Sequence, residues 1–142
     1  MEESNKKEQG ENKLSEINIF TVPYSLLDNK ENITITHNKY SSLSNKEIIS
    51  KAFQFHSKGN TLEAAQHYKF LIDKGCEDPD IFSNYGAILK DIGQLEEAER
   101  YTRKAIKIKP DFADAHSNLG TILKNLGKLK QAEDSQRKAI EL

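Results

Sequence analysis

The chain repeats itself with a period of 34 residues, and this period constrains its fold more than any other feature of the sequence. The segment SNYGAILKDIGQLEEAERYTRKAI begins at Ser83, and SNLGTILKNLGKLKQAEDSQRKAI begins at Ser117. Residues 83–108 and 117–142 are identical at 14 of 26 positions. An earlier and more diverged copy, which begins near Asn45, keeps the small residues in phase: Gly59, Gly93 and Gly127, and then Ala64, Ala98 and Ala132. A period of this length predicts an array of stacked supersecondary units.

Each unit is predicted to contain two helices, A and B, on either side of the repeated glycine. In the middle unit we expect helix A over residues 80–91 and helix B over residues 94–108. The glycine ends helix A in a left-handed conformation, and Pro110 stops helix B. Small residues are expected where the two helices approach closely: Gly86, Gly120, Ala98 and Ala132. Larger apolar residues are expected to fill the space between layers: Phe82, Tyr85, Leu89, Leu95, Ala105, Ile106, Leu119, Leu123, Leu129, Ala139 and Ile140.

Residues 1–44 differ in composition from the repeats. Residues 1–13 are almost entirely polar, which predicts disorder. Residues 14–44 contain two β-branched stretches, INIFTVPY and NITITH, which favour an extended and partly ordered segment. They could also pair as a short hairpin or serve as a recognition element. The tetrad Ser44-Asn45-Lys46-Glu47 matches a helix capping box, so the first helix is expected to begin there.

Helical pairs of 34 residues with Gly, Ala and Pro at these positions resemble tetratricopeptide repeats. The resemblance covers residues 45–142 and divides them into units at 45–78, 79–112 and 113–142, the last one truncated. It implies an all-α fold, a right-handed superhelix of about three helical pairs. The sequence of the repeats also resembles bacterial arrays in which such repeats precede a transferase-type domain.

The first unit departs from the pattern at two positions. Lys51 stands where the later units have Tyr85 and Leu119, which predicts an edge helix with a wetter face. Cys76 stands in place of Pro110, which predicts a looser turn out of that unit.

The resemblance implies that helix A residues line a concave groove, which binds a peptide or a partner helix. The fifth residue after the start of the first, second and third units is Ser50, Asn84 and Asn118, respectively. In related arrays an asparagine at this position grips the ligand backbone, and a carboxamide can pair with a peptide N–H and C=O together. The alternative interpretation is that Asn84 and Asn118 cap or link helices within the array.

Other helix A residues are expected to line the same groove and to give it a polar, mildly basic wall: Ser83, Ala87, Lys90, Asp91, Ser117, Thr121, Lys124 and Asn125. Arrays that clamp the carboxylate of a chaperone tail use Lys and Arg around the asparagine. Of the positions that form such a clamp, this chain matches only at Asn84. At the other positions it has Ile49, Phe53, Asp114 and Asn118. A chaperone-tail clamp is therefore not expected.

Composition and motifs argue against several function classes. The formal net charge is −1, which gives no electrostatic reason to expect nucleic acid as a partner. A single cysteine excludes an intramolecular disulfide, and no apolar stretch suggests a secretory signal or a membrane span. We therefore expect a cytoplasmic protein. The four histidines show no metal-site spacing, and no glycine-rich phosphate loop or catalytic constellation is present, so we expect no catalytic residues, no cofactor and no metal. His116 falls on the apolar stripe of its helix and is expected to be packed and neutral.

The sequence thus predicts a protein-protein interaction module whose partner is a protein or a peptide. Two alternatives remain open. The chain could be a repeat fragment that regulates or scaffolds a transferase-type enzyme. It could also be a structural unit that associates with itself through an open C-terminal end, because the sequence stops at Leu142, before a second proline equivalent to Pro110.

Overall fold

The computed structural model describes residues 40–142, which form six helices joined by short turns. The predictions made for residues 1–39 lie outside the described residues. The helices are α1 (Asn45–Ser57), α2 (Thr61–Asp73), α3 (Pro79–Asp91), α4 (Leu95–Ile108), α5 (Ala113–Asn125) and α6 (Leu129–Glu141). All six agree with the predicted helical pairs, in which α1, α3 and α5 are the A helices.

Side-chain caps fix where two of the A helices begin. The backbone N–H of Glu47 donates to Ser44 Oγ at 3.4 Å, while Glu47 Oε2 accepts from the Ser44 N–H at 2.8 Å, which confirms the capping box. At α3, Asp78 Oδ1 accepts from the N–H groups of Asp80 and Ile81 at 2.8 and 3.3 Å, and proline occupies the first turn. Proline is favourable there because its missing N–H has no partner within the helix.

The repeated glycines end the A helices as predicted. Gly59, Gly93 and Gly127 have φ angles of +76°, +84° and +74°, the left-handed region that a side chain disfavours. The turn after α3 is closed by the N–H of Gln94, which donates to the carbonyl of Leu89 at 2.8 Å. Each pair is therefore a tight hairpin of two helices.

The turn out of the first unit is closed, so the prediction that Cys76 loosens it is wrong. Gly75 has a φ of +80°, and its N–H donates to the Ile72 carbonyl at 2.9 Å. The N–H of Cys76 donates to the Leu71 carbonyl at 3.0 Å. These two bonds form a Schellman motif, which satisfies the end of α2 without a proline.

The three pairs stack so that neighbouring units share a continuous interior. Within each unit the two helices pack against each other, α2 packs on α3, and α4 packs on α5. In addition, α3 and α5 contact each other directly. The A helices of the second and third units therefore lie side by side on one face of the stack.

An ion pair also joins the second unit to the third. The Glu99 carboxylate on α4 lies 2.9 Å from Arg103 Nε and 2.7 Å from Nζ of Lys128, which precedes α6. Partial burial acts to raise the pKa of Glu99, but the hydrogen bonds and charges of Lys128 and Arg103 outweigh it and lower this pKa. The pair adds a polar contact between α4 and the start of α6 to the packing of α4 on α5.

The core consists of most of the residues that the repeat pattern placed there. Tyr85, Leu89, Ala105 and Leu123 are buried, as are Phe82 and Leu119, while Leu95 and Ile106 are partly buried. The prediction is wrong for Leu129 and Ile140, which are 66% and 84% exposed, and Ala139 is only partly buried. The reason is that α5 covers the outer face of α4, whereas no described helix covers the equivalent face of α6.

The two other predictions on packing have different outcomes. Lys51 is exposed, which confirms the wetter face of α1. His116 is not packed in the core: it is partly exposed, and its Nε2 lies 2.9 Å from the carbonyl of Pro110, which stands two residues after the end of α4. The deeply buried histidine is instead His67, with Nδ1 2.6 Å from the Glu63 carbonyl and the ring edge-on to Tyr40.

Helices A and B approach closely at Gly86 and Gly120. A Cβ on Gly86 would collide with Oγ1 of Thr102 and lie 3.2 Å from the carbonyl of Ala98. Thr102 is fully buried and β-branched, so it has little freedom to move. A Cβ on Gly120 would lie 2.6 to 2.8 Å from Nε2, Cγ and Cδ of Gln136. Gln136 is a flexible and partly exposed side chain, and its Nε2 donates to the Ser117 carbonyl at 3.0 Å.

This difference predicts unequal effects for the same substitution. Gly86→Ala should lower the free energy of unfolding by about 1–3 kcal/mol, as overpacking of a tight interior does. Gly120→Ala should cost less than Gly86→Ala, because Gln136 can rotate away from the new methyl group at the loss of its hydrogen bond to the Ser117 carbonyl, and alanine gains about 1 kcal/mol of helix propensity over glycine. Urea denaturation of both variants tests this, and equal losses of stability would contradict the packing described for Thr102.

Candidate functional site

The side-by-side A helices α3 and α5 form an open cavity of about 390 Å³ on one face of the stack. Its lining is mostly polar, and six of its eight residues come in equivalent pairs from the two repeats: Asp80 and Asp114, Ser83 and Ser117, Asn84 and Asn118, with Ala87 and Phe112 completing it. Among the residues predicted for the groove, Asn84, Asn118 and Ala87 are therefore brought together, along with Ser83 and Ser117.

The helical period explains why these side chains share one surface. Asp80, Ser83, Asn84 and Ala87 follow the spacing i, i+3, i+4, i+7, which places them on one face of α3. The residues of α5 follow the same spacing because the repeat is 34 residues long. The opposite face of α3 carries apolar core residues, including Tyr85 and Leu89, which are buried.

Asn118 links the two helices that form the cavity. Its Nδ2 donates to Oγ of Ser83 at 3.3 Å, and Ser83 is buried at 3% exposure. A carboxamide has two N–H donors and a carbonyl acceptor, so this contact uses only part of its capacity. The alternative interpretation, a link within the array, therefore describes one of the contacts that Asn118 makes.

Asn84 occupies the equivalent position in the preceding unit but makes no such link. Its side chain is partly buried and forms no hydrogen bond with any residue in the range 40–142. The equivalent of Ser83 one unit earlier is Ile49, which offers no hydroxyl. The missing hydroxyl explains why the carboxamide of Asn84 stays available at the cavity.

The remaining predicted groove residues lie outside the cavity lining. Ser50 is exposed on α1, and Lys124 and Asn125 are exposed near the end of α5. At the end of α3, Lys90 Nζ pairs with Asp91 Oδ1 at 3.1 Å. Thr121 donates from Oγ1 to the Ser117 carbonyl at 3.2 Å.

The sequence interpretation missed the charge of this cavity. Asp80 and Asp114 both line it, and no lysine or arginine does, so the expected mildly basic wall is wrong for this part of the groove. Each aspartate stands four residues before its asparagine, so the two aspartates have the same 34-residue spacing as the asparagines. This spacing is visible in the sequence and could have revealed them. Phe112 also lines the cavity, although it precedes the helix A residues on which the sequence prediction rested.

Other kinds of site find no support in the described part of the chain. No group of three His, Cys, Asp or Glu residues within residues 40–142 could hold a metal ion. None of the six described helices has the length and apolar character needed to cross a membrane.

Two family models match the repeats. A model described as TPR repeat matches residues 86–127, and one described as tetratricopeptide repeat matches residues 113–142. Both matched segments include part of the cavity. No curated protein sequence matches the chain significantly.

Solved structures of tetratricopeptide repeat proteins share the fold at low sequence identity. The crystal structure of MamA superposes with a TM-score of 0.67 at 16% identity, over 76% of this chain and 63% of that chain, so the match spans less than two thirds of MamA. The second TPR of Spaghetti (RPAP3) bound to the HSP90 peptide SRMEEVD gives a TM-score of 0.62 at 24% identity, over 77% and 98% of the two chains. The TPR2B domain of yeast Sti1 in a pHsp70 complex gives 0.63 at 23% identity, over 69% and 78%.

Proposed function

Because this chain is a tetratricopeptide repeat protein, we propose that it is a non-catalytic protein-interaction module that binds an extended peptide of a partner protein. The peptide would lie in the cavity between α3 and α5, which from here on is called the groove. The groove is open and mostly polar, and its volume of about 390 Å³ suits a few residues of an extended chain.

The observation that carries this proposal is the unpaired carboxamide of Asn84. A partly buried amide without a hydrogen bond from the described residues keeps both a donor and an acceptor for a ligand. A peptide backbone offers the complementary pair at every residue, whatever its sequence. Asn118 can contribute in the same way through its carbonyl and its second N–H, neither of which its bond to Ser83 uses.

Similar folds support the class of ligand but not its sequence. The Spaghetti domain named above is bound to an HSP90 peptide ending in an acidic tail, and the Sti1 domain is in a complex named for pHsp70. In this chain the groove presents Asp80 and Asp114 instead of cationic side chains. Two carboxylates repel an acidic tail, so a different peptide is expected here.

The asparagines can be tested with peptides selected on the protein itself. A random 12-residue peptide library displayed on phage supplies the ligands, and fluorescence anisotropy of labelled synthetic copies supplies the Kd. Asn84→Ala should weaken binding about tenfold, the effect of losing one or two hydrogen bonds at a net ~1 kcal/mol each. Adding Asn118→Ala to Asn84→Ala should weaken peptide binding further.

Ser83→Ala is the matched control for Asn118. It removes the bond between α3 and α5 but leaves the Asn118 carboxamide in place. Binding by Ser83→Ala should therefore stay much closer to the wild type than binding by Asn118→Ala. If Ser83→Ala and Asn118→Ala lose binding equally while Asn84→Ala loses none, the asparagines only link helices and the proposal fails.

A second candidate function is self-association through the outer face of α6. Leu129 and Ile140 are 66% and 84% exposed, whereas the equivalent residues of α4, Leu95 and Ile106, are partly covered by neighbouring helices. An apolar face of this kind gains free energy when a second copy covers it, at roughly 25 cal/mol per Å² buried. Association would be isologous, α6 against α6, since the outer face of α1 carries the charged residues Glu47 and Lys51.

Light scattering after size-exclusion chromatography tests this second candidate over a range of concentrations. The wild type should shift from monomer to dimer as concentration rises, and Ile140→Lys should remain a monomer. Leu62→Lys is the control, because Leu62 is an exposed apolar residue on α2, at 40% exposure, away from α6. A wild type that is monomeric at every concentration would rule out the α6 interface.

A further inference from the structure

The outer face of α6 repeats the residue types of the α4 face that the third unit covers. On α4 this stripe contains Leu95, Glu99, Arg103 and Ile106. On α6 the equivalent stripe contains Leu129, Glu133, Arg137 and Ile140. Each set follows the spacing i, i+4, i+8, i+11, which places its members on one side of the helix. The contacts of the covered α4 face therefore show what kind of surface fits the exposed α6 face.

The third unit supplies the α4 face with an apolar contact and with a cation. Ile106 packs against an apolar cluster that includes Leu119 of α5. Glu99 pairs with Arg103 of its own helix and also with Lys128 Nζ, which comes from the third unit and lies 2.7 Å from Oε2. With both cations in place, the Glu99 side chain is only 15% exposed. A surface that covers such a stripe therefore brings apolar side chains and one cation for the glutamate.

On α6 both of these contacts are missing within residues 40–142. Leu129 and Ile140 are exposed. Glu133 Oε1 accepts from Arg137 Nη2 at 2.8 Å, as in the equivalent pair of α4, yet the Glu133 side chain is 71% exposed. No second lysine or arginine of the described residues lies within ion-pair distance of its carboxylate. The outer face of α6 thus keeps a place for an apolar partner and for a cation.

The first unit of a second copy does not fit this face. Where the third unit has Leu119 and Lys128, the first unit has Lys51 and Asn60. Lys51 would place a charge against the apolar end of the stripe, which is costly, and Asn60 brings no cation to Glu133. Head-to-tail stacking of one copy on the next is therefore disfavoured.

The α6 helix of a second copy supplies both contacts. Read from either end, the stripe begins and ends with an apolar residue and has one charged residue on each side of its centre. When two α6 helices lie antiparallel, Leu129 of one copy meets Ile140 of the other, and Glu133 meets Arg137. The arginine of the second copy is then the second cation for Glu133, in the role that a lysine of the third unit has on α4. A patch that complements itself in this way is what a two-fold contact requires.

Resting on the self-association given above as the second candidate function, we propose that two copies pair through antiparallel α6 helices about a two-fold axis. The interface contains two contacts of Leu129 with Ile140 and two ion pairs of Glu133 with Arg137, each between the copies. Because the contact is isologous, it closes at two copies. One helix from each copy buries a small area, so the dimer is reversible and its population rises with concentration. The groove between α3 and α5 stays outside the contact, so a dimer presents two grooves.

An exchange of the two charges tests this arrangement. Glu133→Arg leaves only arginines at the two charged positions of each copy, and Arg137→Glu leaves only glutamates. Both variants lose the same ion pair within α6, but like charges now meet across the interface, so the Kd of each homodimer should rise about tenfold or more. Mixed in equal amounts, the variants should form a heterodimer about as stable as the wild-type dimer, because every charged contact across the interface again joins arginine to glutamate. Sedimentation velocity with one variant fluorescently labelled measures each Kd.

The matched control is the ion pair of Glu97 with Arg100 on α4, in which Oε1 and Nη2 lie 2.9 Å apart. Glu97→Arg and Arg100→Glu make the same changes in net charge at that pair, and both should dimerise like the wild type. If they lose the dimer as well, overall charge and not the α6 stripe controls association, and the inference is wrong. The mixed sample also controls for folding, because only folded copies can recover a dimer.

The arrangement of the dimer and self-association itself fail in different ways. If the wild type dimerises but the mixed variants stay monomeric, or if each variant alone dimerises like the wild type, the antiparallel pairing is wrong and self-association stands. If the wild type stays monomeric at every concentration, both are overturned. Neither result changes the proposed peptide binding, which uses residues of α3 and α5.

Discussion

The close contact between helix A and helix B in the second unit is the interaction on which the rest of the structure depends. At Gly86 the backbone of α3 approaches the buried Thr102 so closely that a single added carbon would collide with it. This contact fixes the rotation of α3 about its own axis. As a result Ile81, Ile88 and Leu89 are buried, and Asp80, Asn84 and Ala87 face the groove.

The third unit repeats this arrangement, and the groove is a consequence of the repetition. Because α5 has the same rotation as α3 and contacts it directly, equivalent side chains meet in pairs, such as Asp80 with Asp114. One repeat alone would present a single row of polar residues. Two neighbouring repeats produce a surface on which a ligand can be held from both sides.

Most of the fold could be predicted from the sequence because its determinants are local and periodic. The glycines at 59, 93 and 127, the capping box at Ser44 and the apolar spacing all act within one unit, and the structure confirms them. The errors concern neighbours that the period cannot show. Ile140 repeats Ile106 in sequence, but nothing described packs on it, and the turn at Cys76 is closed by Gly75, which has no glycine counterpart in the next unit. At the candidate site, the repeated asparagines are visible in the sequence, and their role in binding stays a prediction. The link from Asn118 to Ser83 and the shared acidic lining required knowledge of which helices touch.

The central claim, that peptides bind between α3 and α5 through the asparagine carboxamides, is tested most directly by NMR on a complex with a selected peptide. Side-chain amide signals of Asn84 and Asn118 should shift on titration and show intermolecular NOEs to the peptide backbone, while signals from Leu129 and Ile140 on α6 stay unchanged. The opposite result, with shifts confined to α6 and no contact to either asparagine, would contradict the account.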